Sequence, residues 1–87
     1  MENHSTEYLV LRAAATSAIQ RYTGWDLRPR EVEVAKDPSN PDLIAIQVKR
    51  FDGTHQFLYD RTVGDESVEE VEFTTWPPRS ADSMRKK

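Results

Sequence analysis

The sequence feature that most constrains the fold is a pair of alternating segments that flank Asp52-Gly53. Residues 43–51 and 54–61 place large apolar side chains at alternate positions, a pattern typical of half-buried β-strands. An aspartate followed by glycine fits the short turn whose twist matches two paired antiparallel strands. We therefore predict a β-hairpin in which Asp52-Gly53 forms the turn and Phe51 pairs with Thr54.

This turn also predicts which side chains share a face of the hairpin. It sets Val48 opposite Phe57. Ile46 then lies opposite Tyr59, so all four large apolar side chains point to one side. A slip by one residue would divide them between the two faces, and the register therefore predicts the buried face of the sheet.

Two more strands are predicted, one on each side of the hairpin, because residues 30–36 and 70–74 also alternate apolar with polar side chains. The apolar positions in these two segments are Val32, Val34, Val71 and Phe73. The two valines of the first segment would join the buried face beside Val48 and Ile46. The prolines within residues 37–42 predict a surface loop between the first two strands.

The last predicted strand continues the same buried face. We place Val71 opposite Tyr59. Phe73 then lies opposite Phe57, so both side chains extend the apolar face of the hairpin. The four strands together form a predicted antiparallel meander.

The N-terminal part of the chain predicts a single helix over residues 5–22. Ser5 or Thr6 can cap its start, and Gly24 can end it in the left-handed conformation. The apolar side chains that recur at helical spacing are Tyr8, Leu11, Ala15, Ala18, Ile19 and Tyr22. Such a stripe can be buried only against the sheet, which predicts an α+β domain with the order α-β-β-β-β.

The length of the chain, 87 residues, allows one hydrophobic core. We place that domain in residues 1–76. Residues 77–87 are mostly small and polar and end in Arg85-Lys86-Lys87, which predicts a disordered tail. The sequence has no apolar run long enough to cross a membrane, and its first residues do not resemble a signal peptide, so we expect a cytoplasmic protein without membrane contact.

The outer face of the predicted sheet, away from the helix, provides a candidate protein interface. On a face expected to be solvated, the apolar side chains of Leu43, Phe51 and Leu58 are of the kind that sometimes marks a contact surface. The candidate interface residues are Leu43, Gln47, Lys49, Phe51, Leu58, Glu70 and Glu72. The alternative is that the charged members only keep the domain soluble and prevent aggregation through its edge strands.

The sequence offers no set of side chains suited to catalysis or metal binding. Cysteine is absent, and the two histidines, His4 and His55, cannot supply a full set of metal ligands. His55 lies beside the turn, where we expect it to close the end of the sheet as a half-exposed polar residue. We therefore expect no enzymatic activity and no cofactor.

The charge of the chain argues against nucleic acid as a partner. Its net charge is -3. The residues after Pro77 are mainly basic, so the domain over residues 1–76 is more negative than the whole chain. A polyanion would be repelled by such a domain. We expect Trp25 and Trp76 to close the core or an edge of the sheet rather than to stack on bases.

The order of one helix followed by strands, together with the segments IQVKRFDGT (residues 46–54) and FLYDRTVG (residues 57–64), resembles PepSY-type domains. In that family an alanine-rich helix precedes a strand, and a hairpin with an Asp-Gly turn leads to a strand that ends in an aspartate near a glycine. Asp60 and Gly64 are similar to that pair. PepSY domains are typically extracytoplasmic and are thought to bind or inhibit proteases, so the resemblance implies a protein-binding role.

Three hypotheses about function follow from the sequence. The first is a non-enzymatic protein-binding or regulatory module that contacts a protein partner or a second copy through the outer sheet face, an edge strand or the linker after Trp76. The second is a small-molecule-binding or catalytic domain, because the small side chains of Ala13, Ala14, Ala15 and Ala18 could leave a cavity between helix and sheet. The third is a small acidic inhibitor from a phage or a mobile element.

Overall fold

The computed structural model describes residues 5–78. Within that range, one α-helix packs on a four-stranded antiparallel sheet with the strand order β1-β2-β3-β4. The elements are α1 (Thr6–Thr23), β1 (Val32–Asp37), β2 (Asn40–Arg50), β3 (Gly53–Asp60) and β4 (Glu69–Val71), with short 3₁₀ turns at Pro29–Glu31 and Asp65–Ser67. The predicted α+β meander is confirmed.

Helix α1 begins and ends as the sequence predicts. The backbone N–H of Tyr8 donates a hydrogen bond to the hydroxyl of Ser5 at 3.1 Å, which caps the start of the helix. At the other end, Gly24 has a φ of 81°, and its N–H donates to the carbonyl of Gln20 at 2.8 Å. Glycine adopts this left-handed conformation without the steric cost that a side chain would add.

The inner core lies between α1 and the sheet. On the helix side, its buried members are Leu11, Ala15, Ala18 and Ile19, whereas Tyr22, which was expected to be buried, is exposed. On the strands, they are Val32, Val34, Ile44, Ile46, Val48, Phe57 and Tyr59. The predicted burial of the strand side chains from β1, β2 and β3 is therefore confirmed.

The register of the β2–β3 hairpin differs from the prediction by two residues. Phe51 and Asp52 form the turn, and Gly53 already pairs with Arg50. As a result, Ile46 rather than Val48 faces Phe57. The glycine has a φ of 128°, which L side chains rarely adopt, so it fits the position just after the turn. Because the shift is even, the predicted cross-strand pairs are wrong but every side chain stays on its predicted face.

The predicted loop over residues 37–42 is instead a tight turn. Asp37 pairs with Asn40, so only Pro38 and Ser39 separate β1 from β2. The Asp37 carboxylate accepts a hydrogen bond from the N–H of Ser39 at 3.1 Å, which stabilises the turn. A register shift at Asp37 leaves Pro41 without a partner on β1, as a residue without an N–H requires.

Strand β4 is shorter than predicted and has the opposite facing. Val71 pairs with Gln56, and Glu70 pairs with Phe57. The register therefore differs from the prediction by an odd number of residues. The predicted placement of Val71 and Phe73 on the helix side is therefore wrong. The physical reason is that Val68 enters the inner core instead, which turns the following apolar side chains to the other face.

The outer face of the sheet carries a second, smaller apolar group, which we call the outer cluster. Its buried members are Leu43, Ala45, Leu58 and Phe73, with Val71 and Trp76 packed against them. The segment over residues 72–78 therefore covers part of this face, and Pro78 is also buried. Disorder is predicted for residues 77–87, of which residues 79–87 lie outside the described residues, as does His4.

Candidate functional site

The structure separates the seven predicted interface residues into two groups. Leu43 and Leu58 are only 3% and 1% exposed, because Phe73 and Trp76 pack over them. Their expected exposure is therefore wrong, and in this fold they cannot contact a partner. The remaining members are exposed or half-buried: Gln47, Lys49, Phe51, Glu70 and Glu72.

The most exposed large apolar side chain in residues 5–78 is Phe51, at 91%. It lies at the first position of the β2–β3 turn, beyond the last ladder pair of the hairpin. Five other side chains lie close to this turn and contact one another or Phe51. We call the group the turn cluster, and its members are Trp25, Arg50, Phe51, Asp52, His55 and Glu70.

Trp25 connects the turn cluster to the inner core. It follows the left-handed Gly24, and its backbone N–H donates a hydrogen bond to the hydroxyl of Thr23 at 3.1 Å. Its ring meets the buried Phe57 edge-on, with ring centres 6.1 Å apart, and the ring of His55 at 4.9 Å. The indole is thus fixed by packing and can support a side chain stacked on it.

Arg50 is that side chain. Its guanidinium carbon lies 4.1 Å from the centre of the Trp25 ring and 5.3 Å from the centre of the Phe51 ring. Both distances are within the range of a cation–π contact. Within residues 5–78, the side chain of Arg50 makes no hydrogen bond or ion pair, and its Nε is buried without an acceptor. Ring contacts, rather than a carboxylate, therefore hold the guanidinium in place.

His55 lies between two carboxylates. Its Nε2 is 3.0 Å from Asp52 Oδ1, and its Nδ1 is 3.3 Å from Glu70 Oε2. The hydrogen bond with Asp52 is the largest influence and raises the pKa of His55, the contact with Glu70 adds to the rise, and desolvation opposes it. The same hydrogen bond lowers the pKa of the Asp52 carboxyl.

This arrangement stabilises the protonated form of His55. A histidine that acts as a general base needs one ring nitrogen directed at the reacting group, with the other oriented by a carboxylate. In the turn cluster both ring nitrogens of His55 face carboxylates. Within residues 5–78, no group of three His, Asp or Glu side chains is placed to hold a metal ion.

The edge strands show features that oppose pairing with another chain. Strand β1 presents Glu33 and Lys36 as exposed charged side chains, and β4 is only three residues long with Glu70 exposed. Charged side chains and short edges are common means of preventing strand addition. The edges are therefore less suited to a protein contact than the turn cluster.

Two open clefts flank the first half of α1. The first, of about 240 Å³, separates the helix from β1 and is lined by Ser5, Glu7, Tyr8, Leu11, Val34, Ala35 and Lys36. The second, of about 220 Å³, is lined by Glu7, Val10, Leu11, Ala14 and Arg61. Of the four alanines where the sequence suggested a cavity, Ala15 and Ala18 are buried in the inner core, Ala14 lines the second cleft, and Ala13 is exposed.

Comparison of the chain with protein-family models, with curated proteins and with solved structures found no match. The resemblance to PepSY-type domains stays a prediction from the layout of the sequence. Within the described residues, no helix is both long enough and apolar enough to span a lipid bilayer.

Sequence reasoning found only part of this site. It selected Phe51 and Glu70, but as members of the outer sheet face, and that placement of Glu70 is wrong because the reversed facing of β4 puts it on the helix side, paired with Phe57. It missed the stacking of Arg50 on Trp25, because the contact joins residues that are distant in the chain. The signal that could have found it is the position of Trp25 directly after the helix-ending glycine, which brings the indole back to the end of the sheet.

Proposed function

We propose that this chain is a non-enzymatic protein-binding module whose contact surface is centred on Phe51 at the β2–β3 turn. The single observation that carries the proposal is the 91% exposure of this phenylalanine beside a stacked arginine. Aromatic and arginine side chains are enriched in protein interfaces and often supply much of the binding energy.

The scaffold supports this role. The turn joins β2 to β3, which pairs with it over its full length, and Trp25 supports Arg50 by packing on the inner core. A contact surface held on rigid elements loses less conformational entropy on binding than a flexible one. The turn cluster is therefore preorganised for association.

The outer sheet face is a weaker candidate for the contact surface, because residues 72–78 already cover part of it. A small acidic inhibitor from a phage or a mobile element would be a special case of the proposed function, in which the partner is an enzyme. The resemblance to PepSY-type domains implies the same class of function. The proposal includes the cytoplasmic location expected from the sequence, which cell fractionation would test.

The small-molecule alternative depends on the cleft between α1 and β1. Its volume of about 240 Å³ lies below the roughly 300–1,000 Å³ typical of ligand pockets. The ion pair between Lys36 and Glu7 stands at this cleft, and the hydrogen bond from Lys36 lowers the pKa of the Glu7 carboxyl. These features favour the protein-binding proposal over the alternative.

The test compares Phe51→Ser with Val63→Ser, a matched change at an exposed apolar side chain outside the turn cluster. Each variant and the wild-type protein are used to capture partners from the source organism, and the captured protein is then titrated by calorimetry. We expect Phe51→Ser to lose binding and Val63→Ser to retain it. Sedimentation of the same three proteins tests whether the partner is a second copy. Equal binding and equal sedimentation of both variants would contradict the proposal.

A further inference from the structure

We propose that Arg50 is a carboxylate-binding residue, and that it takes an acidic side chain of the partner protein beside Phe51. This inference rests on the proposed function and adds the chemistry of the partner. Its basis is the unpaired guanidinium of Arg50, stacked on Trp25 at the end of the sheet.

No ion pair within residues 5–78 neutralises the charge of Arg50. A comparable arginine, Arg21, forms an ion pair with Asp65 at 2.9 Å. Arg50 forms none within residues 5–78, although Asp52 is close enough for the arginine to lower the pKa of its carboxyl. The Asp52 carboxylate is instead directed at His55, at 3.0 Å from its Nε2. The guanidinium therefore keeps donors available for a ligand.

The shape and position of the Arg50 guanidinium suit a carboxylate. A guanidinium is planar and presents parallel N–H groups that match the two oxygens of a carboxylate. Stacking on Trp25 fixes the plane of this group before any ligand binds. The half-buried position of Arg50 also reduces screening by water, which strengthens a charge-assisted hydrogen bond.

The groups around Arg50 determine which anion can bind there. Asp52 lies close to Arg50, Glu70 contacts the neighbouring His55, and the chain carries a net charge of -3, so a polyanion such as nucleic acid is repelled. A single carboxylate adds only one negative charge. The exposed ring of Phe51 lies next to the guanidinium and suits an apolar group. The partner segment that fits best is therefore an acidic residue next to an apolar one.

The experiment uses the ¹⁵N-labelled full-length chain and a dipeptide probe. N-acetylglutamyl-leucine amide is titrated while the indole N–H of Trp25 is followed by NMR. Its neutral analogue, N-acetylglutaminyl-leucine amide, and inorganic phosphate are titrated separately. We expect saturable shifts with the glutamyl probe and an affinity about tenfold lower for the neutral analogue, because only the carboxylate forms a charge-assisted pair.

The variants assign the binding to Arg50. Arg50→Gln should abolish the shift, and Arg50→Lys, which keeps the charge but loses the planar fork, should weaken it. Arg61→Gln is the matched control, since Arg61 is exposed and lies just beyond the opposite end of β3. Absence of any shift, equal shifts from both dipeptides, or an unchanged affinity in Arg50→Gln would overturn the inference. Binding of phosphate as tight as that of the glutamyl probe would overturn the assignment to a carboxylate.

The same variants separate this inference from the proposed function. If Phe51→Ser loses the captured partner while Arg50→Gln retains it, the carboxylate assignment fails and the protein-binding function stands. If both variants retain the partner, both fail. If both lose it and the dipeptide titration depends on Arg50, both are supported.

Discussion

The backbone N–H of Phe73 donates a hydrogen bond to the side-chain oxygen of Gln56 at 2.8 Å. This bond joins the segment that follows β4 to the sheet, at the edge of the outer cluster. Gln56 pairs with Val71 in the β3–β4 ladder, so the bond continues the attachment beyond the last ladder pair.

We predict that Gln56→Ala destabilises the protein by about 1 kcal/mol, because the N–H of Phe73 loses its acceptor. Urea denaturation would measure the loss, and hydrogen exchange should show faster exchange at the amide of Phe73. Gln47→Ala is the matched control: Gln47 faces Gln56 on β2, but its side chain makes no hydrogen bond within residues 5–78. Equal destabilisation by the two variants would contradict this role of Gln56.

The second prediction concerns Leu58, a buried member of the outer cluster. Leu58→Ala should lower the free energy of unfolding by about 2–5 kcal/mol, because it leaves a cavity beneath Phe73. The control Val63→Ala, at an exposed loop position, should change it by less than about 0.5 kcal/mol. Denaturant titration of both variants decides the matter. A Leu58→Ala protein as stable as the wild type would mean that residues 72–78 do not cover this face.

The third prediction concerns the pKa of His55, which NMR titration should place above its ordinary value. Asp52→Asn should lower it more than Glu70→Gln does, since the hydrogen bond with Asp52 is the larger cause of the rise. If Glu70→Gln lowers the pKa of His55 more than Asp52→Asn does, Glu70 and not Asp52 is the larger cause of the rise.

The sign of the stability effect follows from the raised pKa. The folded state binds the proton of His55 more tightly than the unfolded chain, whose histidine titrates near pH 6.5. The contribution to stability is therefore complete below that pH and is lost as the pH rises through the folded-state value. Unfolding measured between about pH 5 and pH 8 should show this decline in the wild type and a smaller one in His55→Gln.

The fourth prediction separates binding from folding at Phe51. Phe51→Ser should change the free energy of unfolding by less than about 0.5 kcal/mol, because the ring is exposed and contributes little to either core. Phe57→Ala, at a fully buried ring, should cost about 3–5 kcal/mol. Thermal and urea unfolding of the two variants would test the contrast. A large loss of stability in Phe51→Ser would show that the ring of Phe51 contributes to the stability of the fold despite its exposure.

Local signals in the sequence were sufficient for α1 and for the buried face of the hairpin. Ser5 and Gly24 mark the ends of the helix through backbone chemistry that depends only on near neighbours. The face of the hairpin depends on parity, so it was predicted correctly even though Arg50 rather than Phe51 begins the ladder.

The facing of β4 could not be predicted in this way. Val68 and Val71 have opposite parity, and alternation alone does not say which of them enters the inner core. Both faces of the sheet are partly apolar, since Leu43 and Leu58 lie on the face that points away from the helix. The choice between the faces depends on tertiary packing, as does the contact between Arg50 and Trp25.

The position of Phe73 and Trp76 over Leu43 and Leu58 has a practical consequence for handling the protein. A shortened chain that stops at Val71 would expose the side chains of Leu43 and Leu58 to water and would be prone to precipitate. Tags or fusion partners joined on the carboxyl side should therefore be attached no earlier than Pro78.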